Sequence, residues 1–147
     1  MKLSTRARYG TRALMDLALN GGSSPVPLKA IAQRQQISLT YLEHLVTPLI
    51  GAGIVRSVRG AKGGVALARP PKEIKLIEVI KLLEGSTAPT ECINDPGVCP
   101  RSARCATRDV WSEVEDAINN VLEATTLEDL AERQKKKGEP LEQMYYI

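Results

Sequence analysis

The sequence predicts a mainly α-helical fold with one small β-hairpin, arranged as a winged helix-turn-helix joined to a long dimerisation helix. Three observations point to it. Helical periodicity recurs in three segments before residue 52, two short β-prone runs then flank a Gly-rich tip, and a long amphipathic stretch begins near residue 107. A chain of 147 residues suits one domain, or one domain with an appendage, and 43% hydrophobic content is enough for a modest core.

Taken in order, Ser4 is placed to cap a first helix reaching about Asn20, with Ala7, Leu14, Leu17 and Ala18 toward a core and NGGSSP ending it. In LKAIAQRQ, Leu28, Ile31 and Ala32 have the one-face spacing of a second, short helix. Ser38 then caps a third helix reaching toward Gly51. On it Leu42, Leu45, Val46 and Leu49 form one stripe, while Thr40, Glu43, His44 and Thr47 lie opposite on a polar face free to dock. Pro48 removes a backbone donor, so a bend or an early end is expected near Thr47. Two short helices around a tight turn make a helix-turn-helix, whose second helix enters the DNA major groove with its N-terminal residues, from Ser38 onward, near the base edges.

In GIVRSVRGAKGGVALARPP the β-prone runs 54–59 and 65–69 flank GAKGG, a hairpin with Arg59 and Lys62 at its tip. A hairpin directly after a helix-turn-helix is a wing, and those two cations are placed to meet phosphates. Residues 1–72 thus read as a DNA-binding domain. Within the reading helix Glu43 repels phosphates and is tolerated in a groove where it accepts from a cytosine amino group, adding selectivity rather than affinity. His44, the single histidine, either touches phosphate or faces water.

A linking helix follows over 73–91, with Ile74, Ile77, Val79, Ile80, Leu82 and Leu83 on a broad apolar face and Gly85 ending it. Residues 92–106 form a cysteine loop. The next helix, 107–125, carries Trp111, Val114, Ile118 and Val121 at alternating spacings of three and four, a coiled-coil-like seam that suits pairing between two subunits. Residues 126–147 read as a short helix, TLEDLAER, capped by Thr126 with Asp129, and a flexible tail.

Charge is distributed unevenly. Residues 1–72 hold eleven Lys or Arg against Asp16 and Glu43, a net of +9, whereas residues 73–147 carry a net of −6. A half so basic fits a polyanion, here double-stranded DNA, and a homodimer would address a two-fold symmetric site. No segment is apolar for long enough to span a membrane, and the N-terminus lacks the uninterrupted apolar centre of a signal peptide, so a cytoplasmic protein is expected.

All three cysteines, Cys92, Cys99 and Cys105, fall within CINDPGVCPRSARC. In a reducing compartment such crowding suits metal binding or redox chemistry rather than a structural disulfide. Arg101 and Arg104 are placed to lower the thiol pKa values. The spacing lacks the tight knuckle usual for zinc and could wrap an iron–sulfur cluster; zinc and a metal-free oxidation sensor remain open.

Taken together, the opening MKLSTRARYGTRALMDLAL, the segment LKAIAQRQQISLTYLEHLV, the wing GIVRSVRGAKGGVALARP and the three cysteines before a long helix resemble the iron–sulfur cluster regulators of IscR type over residues 1 to about 132. The resemblance implies a dimeric winged-helix transcription factor that binds a cluster, usually 2Fe-2S, and represses or activates cluster-assembly operons. It also implies DNA contacts from Thr40, Tyr41 and Glu43 and from Arg59. Two departures stand out. Where relatives supply a histidine after the third cysteine, this chain has Thr107 and Arg108, which leaves Glu91, Asp95, Asp109, His44 or an external ligand for the fourth position. Some relatives instead borrow an acid from the partner's first helix, but here Arg6, Arg8 and Arg12 precede Asp16. In the wing, Ala61 and Lys62 stand in what is often a Pro-Gly-Gly-Gly turn.

An electron or cluster carrier would need neither the basic half nor the wing. An enzyme is not expected: there is one histidine, no nucleotide-binding Gly-rich loop ahead of a helix and no carboxylate pair around an apolar pocket.

Overall fold

The computed structural model describes residues 1–22 and 24–145, with side-chain surroundings to residue 138. Three helices come first: α1 (Thr5–Asn20), α2 (Leu28–Gln35) and α3 (Leu39–Gly51). Ser4 Oγ accepts from the Ala7 amide at 3.1 Å and Ser38 Oγ from the Tyr41 amide at 3.2 Å, so both expected caps form. Between α2 and α3 the chain turns through Gln36, a left-handed residue at φ 55°, and then buries Ile37. Leu14, Leu17, Ile31, Ala32, Leu42, Val46 and Leu49 from the three helices meet in one core.

Contrary to expectation, α3 does not end at Thr47 but continues through Pro48 to Gly51. The reason lies on both faces. Leu45, Val46 and Leu49 are clamped in the core across the proline, and on the outer face His44 is exposed, so its carbonyl, deprived of an amide partner by Pro48, can be hydrated.

The wing follows as β1 (Val55–Val58) and β2 (Gly64–Leu67), antiparallel, with Val55 opposite Leu67 and Val58 opposite Gly64. Val26, in the α1–α2 connection, bonds both ways with Val65 at 2.8 and 2.9 Å and fastens the wing to the helices. Glycine is required where the backbones crowd: a Cβ on Gly64 would collide with the Val26 carbonyl, and one on Gly63 with that of Val58. The departures from the usual turn, Ala61 and Lys62, sit at the exposed tip, where side chains are tolerated.

Helix α4 (Leu76–Glu84) starts three residues later than a helix from Glu73 would, because a 3-10 turn over Pro71–Glu73 leads into an extended stretch at Ile74 and Lys75. That stretch pairs with the far end of the chain: Leu76 N donates to Thr125 O at 2.9 Å and Leu127 N to Ile74 O at 3.0 Å. The cysteine segment is built of short helical turns, α5 (Glu91–Asn94) and 3-10 turns at Pro96–Val98 and Ser102–Arg104.

Helix α6 (Ala106–Ala124) then runs back beside α4, and α7 (Leu127–Tyr145) begins at the pairing with Ile74. Thr126 and Asp129 exchange the expected capping bonds, at 2.9 and 3.2 Å. Far from ending after TLEDLAER, α7 continues through Gln134 and Lys135–Lys137, all good helix formers. The tail expected to fray falls partly outside the described residues, at 146 and 147. Leu127 and Ala131 are buried, and Leu127 joins the core formed by α1 to α4. Among the described residues no helix is long and apolar enough to cross a membrane.

Candidate nucleic-acid interface and thiol loop

The outer face of α3 is open. Ser38, Thr40, Glu43 and His44 are exposed in a row beginning at the helix N-terminus, and Thr47 Oγ1 donates to the Glu43 carbonyl at 3.0 Å. Tyr41 differs from them: half-buried, it meets Tyr9 of α1 edge to face with ring centroids 6.1 Å apart. The guanidinium groups of Arg8 and Arg12 lie 5.6 and 5.3 Å from the Tyr9 ring. A cationic, aromatic patch on α1 therefore adjoins the start of α3. Arg59 and Lys62 are exposed at the wing tip, as expected.

What ties α1 to the end of α2 is a cluster that sequence reading passed over. Asp16, 1% exposed on α1, accepts from Arg34 Nη2 at 2.6 Å and from Arg34 Nε and Gln35 Nε2 at 2.9 Å each. Arg12 reaches the Gln35 carbonyl at 2.5 Å. Burial alone would push the Asp16 carboxyl up, but the hydrogen bonds from Arg34 and Gln35 and the charge of Arg34 outweigh it and hold the carboxyl below its ordinary range. No periodicity announces this pairing, since its members are 18 and 19 residues apart.

A second junction ties α1 to the thiol arm. Glu84, the last residue of α4, accepts from the Ser4 amide at 3.2 Å and from Ser4 Oγ at 2.6 Å, so the residue capping α1 is also bonded to the base of the arm.

In the arm the three thiols are each partly exposed and free. Cys92 Sγ lies 3.3 Å from Thr90 Oγ1, and Arg108 Nε donates to the Cys92 carbonyl at 3.0 Å, docking the loop onto α6. Thr107 and Arg108 thus serve the loop as hydrogen-bonding groups. Cys105 Sγ is 3.1 Å from Thr107 Oγ1; that contact, with backbone N–H groups of Arg108 and Thr107 at the first turn of α6, holds the Cys105 thiol below its ordinary pKa. The expected lowering by Arg101 and Arg104 is not its source: these side chains are exposed, and the helix start supplies the donors instead.

The residues fit a thiolate-bound metal group in kind. Three thiols are the donors soft metals need, and Ser102, between Cys99 and Cys105, has a buried hydroxyl with no hydrogen-bond partner. In this conformation the donors are not drawn together: among the described residues no three Cys, His, Asp or Glu side chains form a group able to hold a metal ion. Asp95 is committed to the Gly97 amide at 2.9 Å, and His44 faces outward on α3. Loading would require the short turns of the loop to close around the group.

Helix α6 has no buried residue in the single chain. Val121 is 66% exposed and Trp111 37%, while Val114 and Ile118 of the same seam are half-buried, so the seam is partly uncovered.

Comparison with known proteins places this arrangement in a family. A family model described as Rrf2, an iron-dependent transcriptional regulator, matches residues 3–133. Protein rrf2 of Nitratidesulfovibrio vulgaris is 47% identical over 130 residues, 88% of this chain and 87% of that one. The HTH-type transcriptional regulator CymR of Bacillus subtilis is 42% identical over 147 residues, the full length of both. A solved structure of CymR, described as the global cysteine regulator of B. subtilis, is similar with a TM-score of 0.78 at 42% identity, covering 90% of this chain and 98% of that one. The structure of T. potens IscR gives 0.77 at 40% identity, covering 93% and 90%. These relatives are transcriptional regulators, not enzymes. With matches of this identity and coverage, the chain belongs to the Rrf2 family of winged-helix transcriptional regulators.

Proposed function

We propose that this chain is a homodimeric regulator that binds a two-fold symmetric DNA site and reads iron–sulfur cluster supply through Cys92, Cys99 and Cys105, which hold a 2Fe-2S cluster and thereby control cluster-assembly genes. The observation that carries this reading is the arm itself: three partly exposed thiols, docked on α6 by Arg108, in a segment bonded to the cap of α1 through Glu84. The family description as iron-dependent regulators supports it. When bound, the cluster supplies a redox-active tie among three points of one loop. The chain's own residues do the rest: Ser38, Thr40, Tyr41, Glu43 and His44 present the α3 face to the major groove, and Arg59 and Lys62 carry phosphate contacts from the wing. Glu43 selects among sites by accepting from a cytosine amino group. Tyr41 is braced on Tyr9 rather than free to rotate.

A second reading is a metal-free thiol sensor, favoured by the absence of a gathered donor group among the described residues and by the naming of CymR as a cysteine regulator. One experiment separates the two. Protein purified without oxygen is examined by visible absorbance, EPR and iron and sulfide counts, beside Cys92→Ala, Cys99→Ala and Cys105→Ala. Visible absorption with matching iron and sulfide, lost in all three variants, is the expected result. Colourless protein lacking sulfide even after anaerobic reconstitution would leave the thiol sensor.

A further inference from the structure

We propose that Ser102 is a hydrogen-bond donor to the sulfur of the group held by the three cysteines, acting from just outside the ligand set. The proposal rests on the cluster reading above. Of residues 84 to 124, all described, Ser102 alone is buried, at 8% exposure, and it is a polar residue where packing would be served by alanine. Among the described residues its Oγ is also the one buried side-chain polar atom without a partner. A hydroxyl withdrawn from water and left unbonded carries its full desolvation cost, so its place in the fold is explained by an acceptor that arrives in another state.

The position says which acceptor. Ser102 is three residues from Cys99 and three from Cys105, and its amide donates to the Cys99 carbonyl at 3.2 Å, fixing it against one ligand. Its neighbours Arg101, Ala103 and Arg104 are exposed, so this turn withdraws Ser102 and no other side chain from solvent. Closing the loop on a shared group brings electron-rich sulfur, as thiolate or sulfide, to both sides of it. A donor to such sulfur withdraws electron density, favours the reduced form and raises the reduction potential.

The test uses the full chain, reconstituted anaerobically with iron and sulfide, as wild type, Ser102→Ala and Ser102→Thr. Iron and sulfide per chain, the midpoint potential and the resonance Raman Fe–S stretches are recorded, with thermal melting of the unloaded proteins as the check on folding. We expect Ser102→Ala to load as wild type does but with a more negative potential and shifted Fe–S stretches. Ser102→Thr, which keeps the hydroxyl, should stay near wild type. Failure of Ser102→Ala to load with its melting intact, rescued in Ser102→Thr, would support the same role. A wild-type potential and spectrum in Ser102→Ala would overturn the proposal and leave the cluster reading standing, as would loss of loading in both variants, which marks a packing role. A wild-type protein that takes up neither iron nor sulfide would overturn both.

Discussion

Asp16 is the acid on which the helix-turn-helix depends, because it joins α1 to the C-terminal end of α2 through three charged hydrogen bonds, beside the bond from Arg12 to Gln35. Its partner Arg34 is 40% exposed while the carboxylate is 1% exposed, so solvent moderates the guanidinium side and the loss falls mainly on the acid. The folded-state pKa of Asp16 lies below its unfolded value, so its contribution to stability is complete above the ordinary carboxylate range and disappears as pH falls through the folded value. Asp16→Asn should therefore cost about 2 kcal/mol at neutral pH, measured by urea unfolding. The gap between the two proteins should narrow as pH drops below about 4. A variant as stable as wild type at pH 7 would show that Arg34 and Gln35 find equal partners in water.

At the scale of elements, the proposed function has the wing and α3 divide the labour of binding. The α3 face is mostly uncharged or acidic and supplies little unspecific attraction, whereas the wing tip presents cations on a turn free of packing. Lys62→Ala should leave the fold intact and reduce the slope of log affinity against log salt by about 0.9 for each phosphate that is no longer neutralised, read by fluorescence anisotropy on an operator duplex. An unchanged slope would remove Lys62 from the interface. The elements also mark what a linear reading can reach. Ser4, Ser38 and the Thr126–Asp129 pair were legible because a cap is written within four residues. The late start of α4 and the passage of α3 through Pro48 were not, since the first depends on pairing Ile74 with a segment some fifty residues later and the second on core packing either side of the proline. The site divides in the same way. Three cysteines and an outward polar face show in sequence, but the burial of Ser102 and the bonding of Glu84 to Ser4 exist only once the chain has folded.

For the whole molecule the decisive fact is that α6 has no buried residue and leaves Trp111 and Val121 of its apolar seam exposed. On the proposed function, a second copy would cover it and make the two reading heads one unit. Val121, 66% exposed in the single chain, can be changed without disturbing the folded protomer. Val121→Glu should yield a folded monomer by sedimentation velocity, with operator affinity weakened roughly 100-fold through loss of the linked second head. A variant that remains dimeric would move the interface elsewhere.

The arm from Gly85 to Thr125 leaves the end of α4 beside Ser4 and comes back to the start of α4 at Lys75, so a single helix anchors both its ends. It is hung on the core like a handle rather than trailing from it. Whatever the arm carries, its two ends join opposite ends of α4, one of them beside the cap of α1, while Leu122 of α6 packs against the core between them. On the proposed function, a scaffold built this way can exchange its detector as a cassette while the part that would read DNA stays as it was.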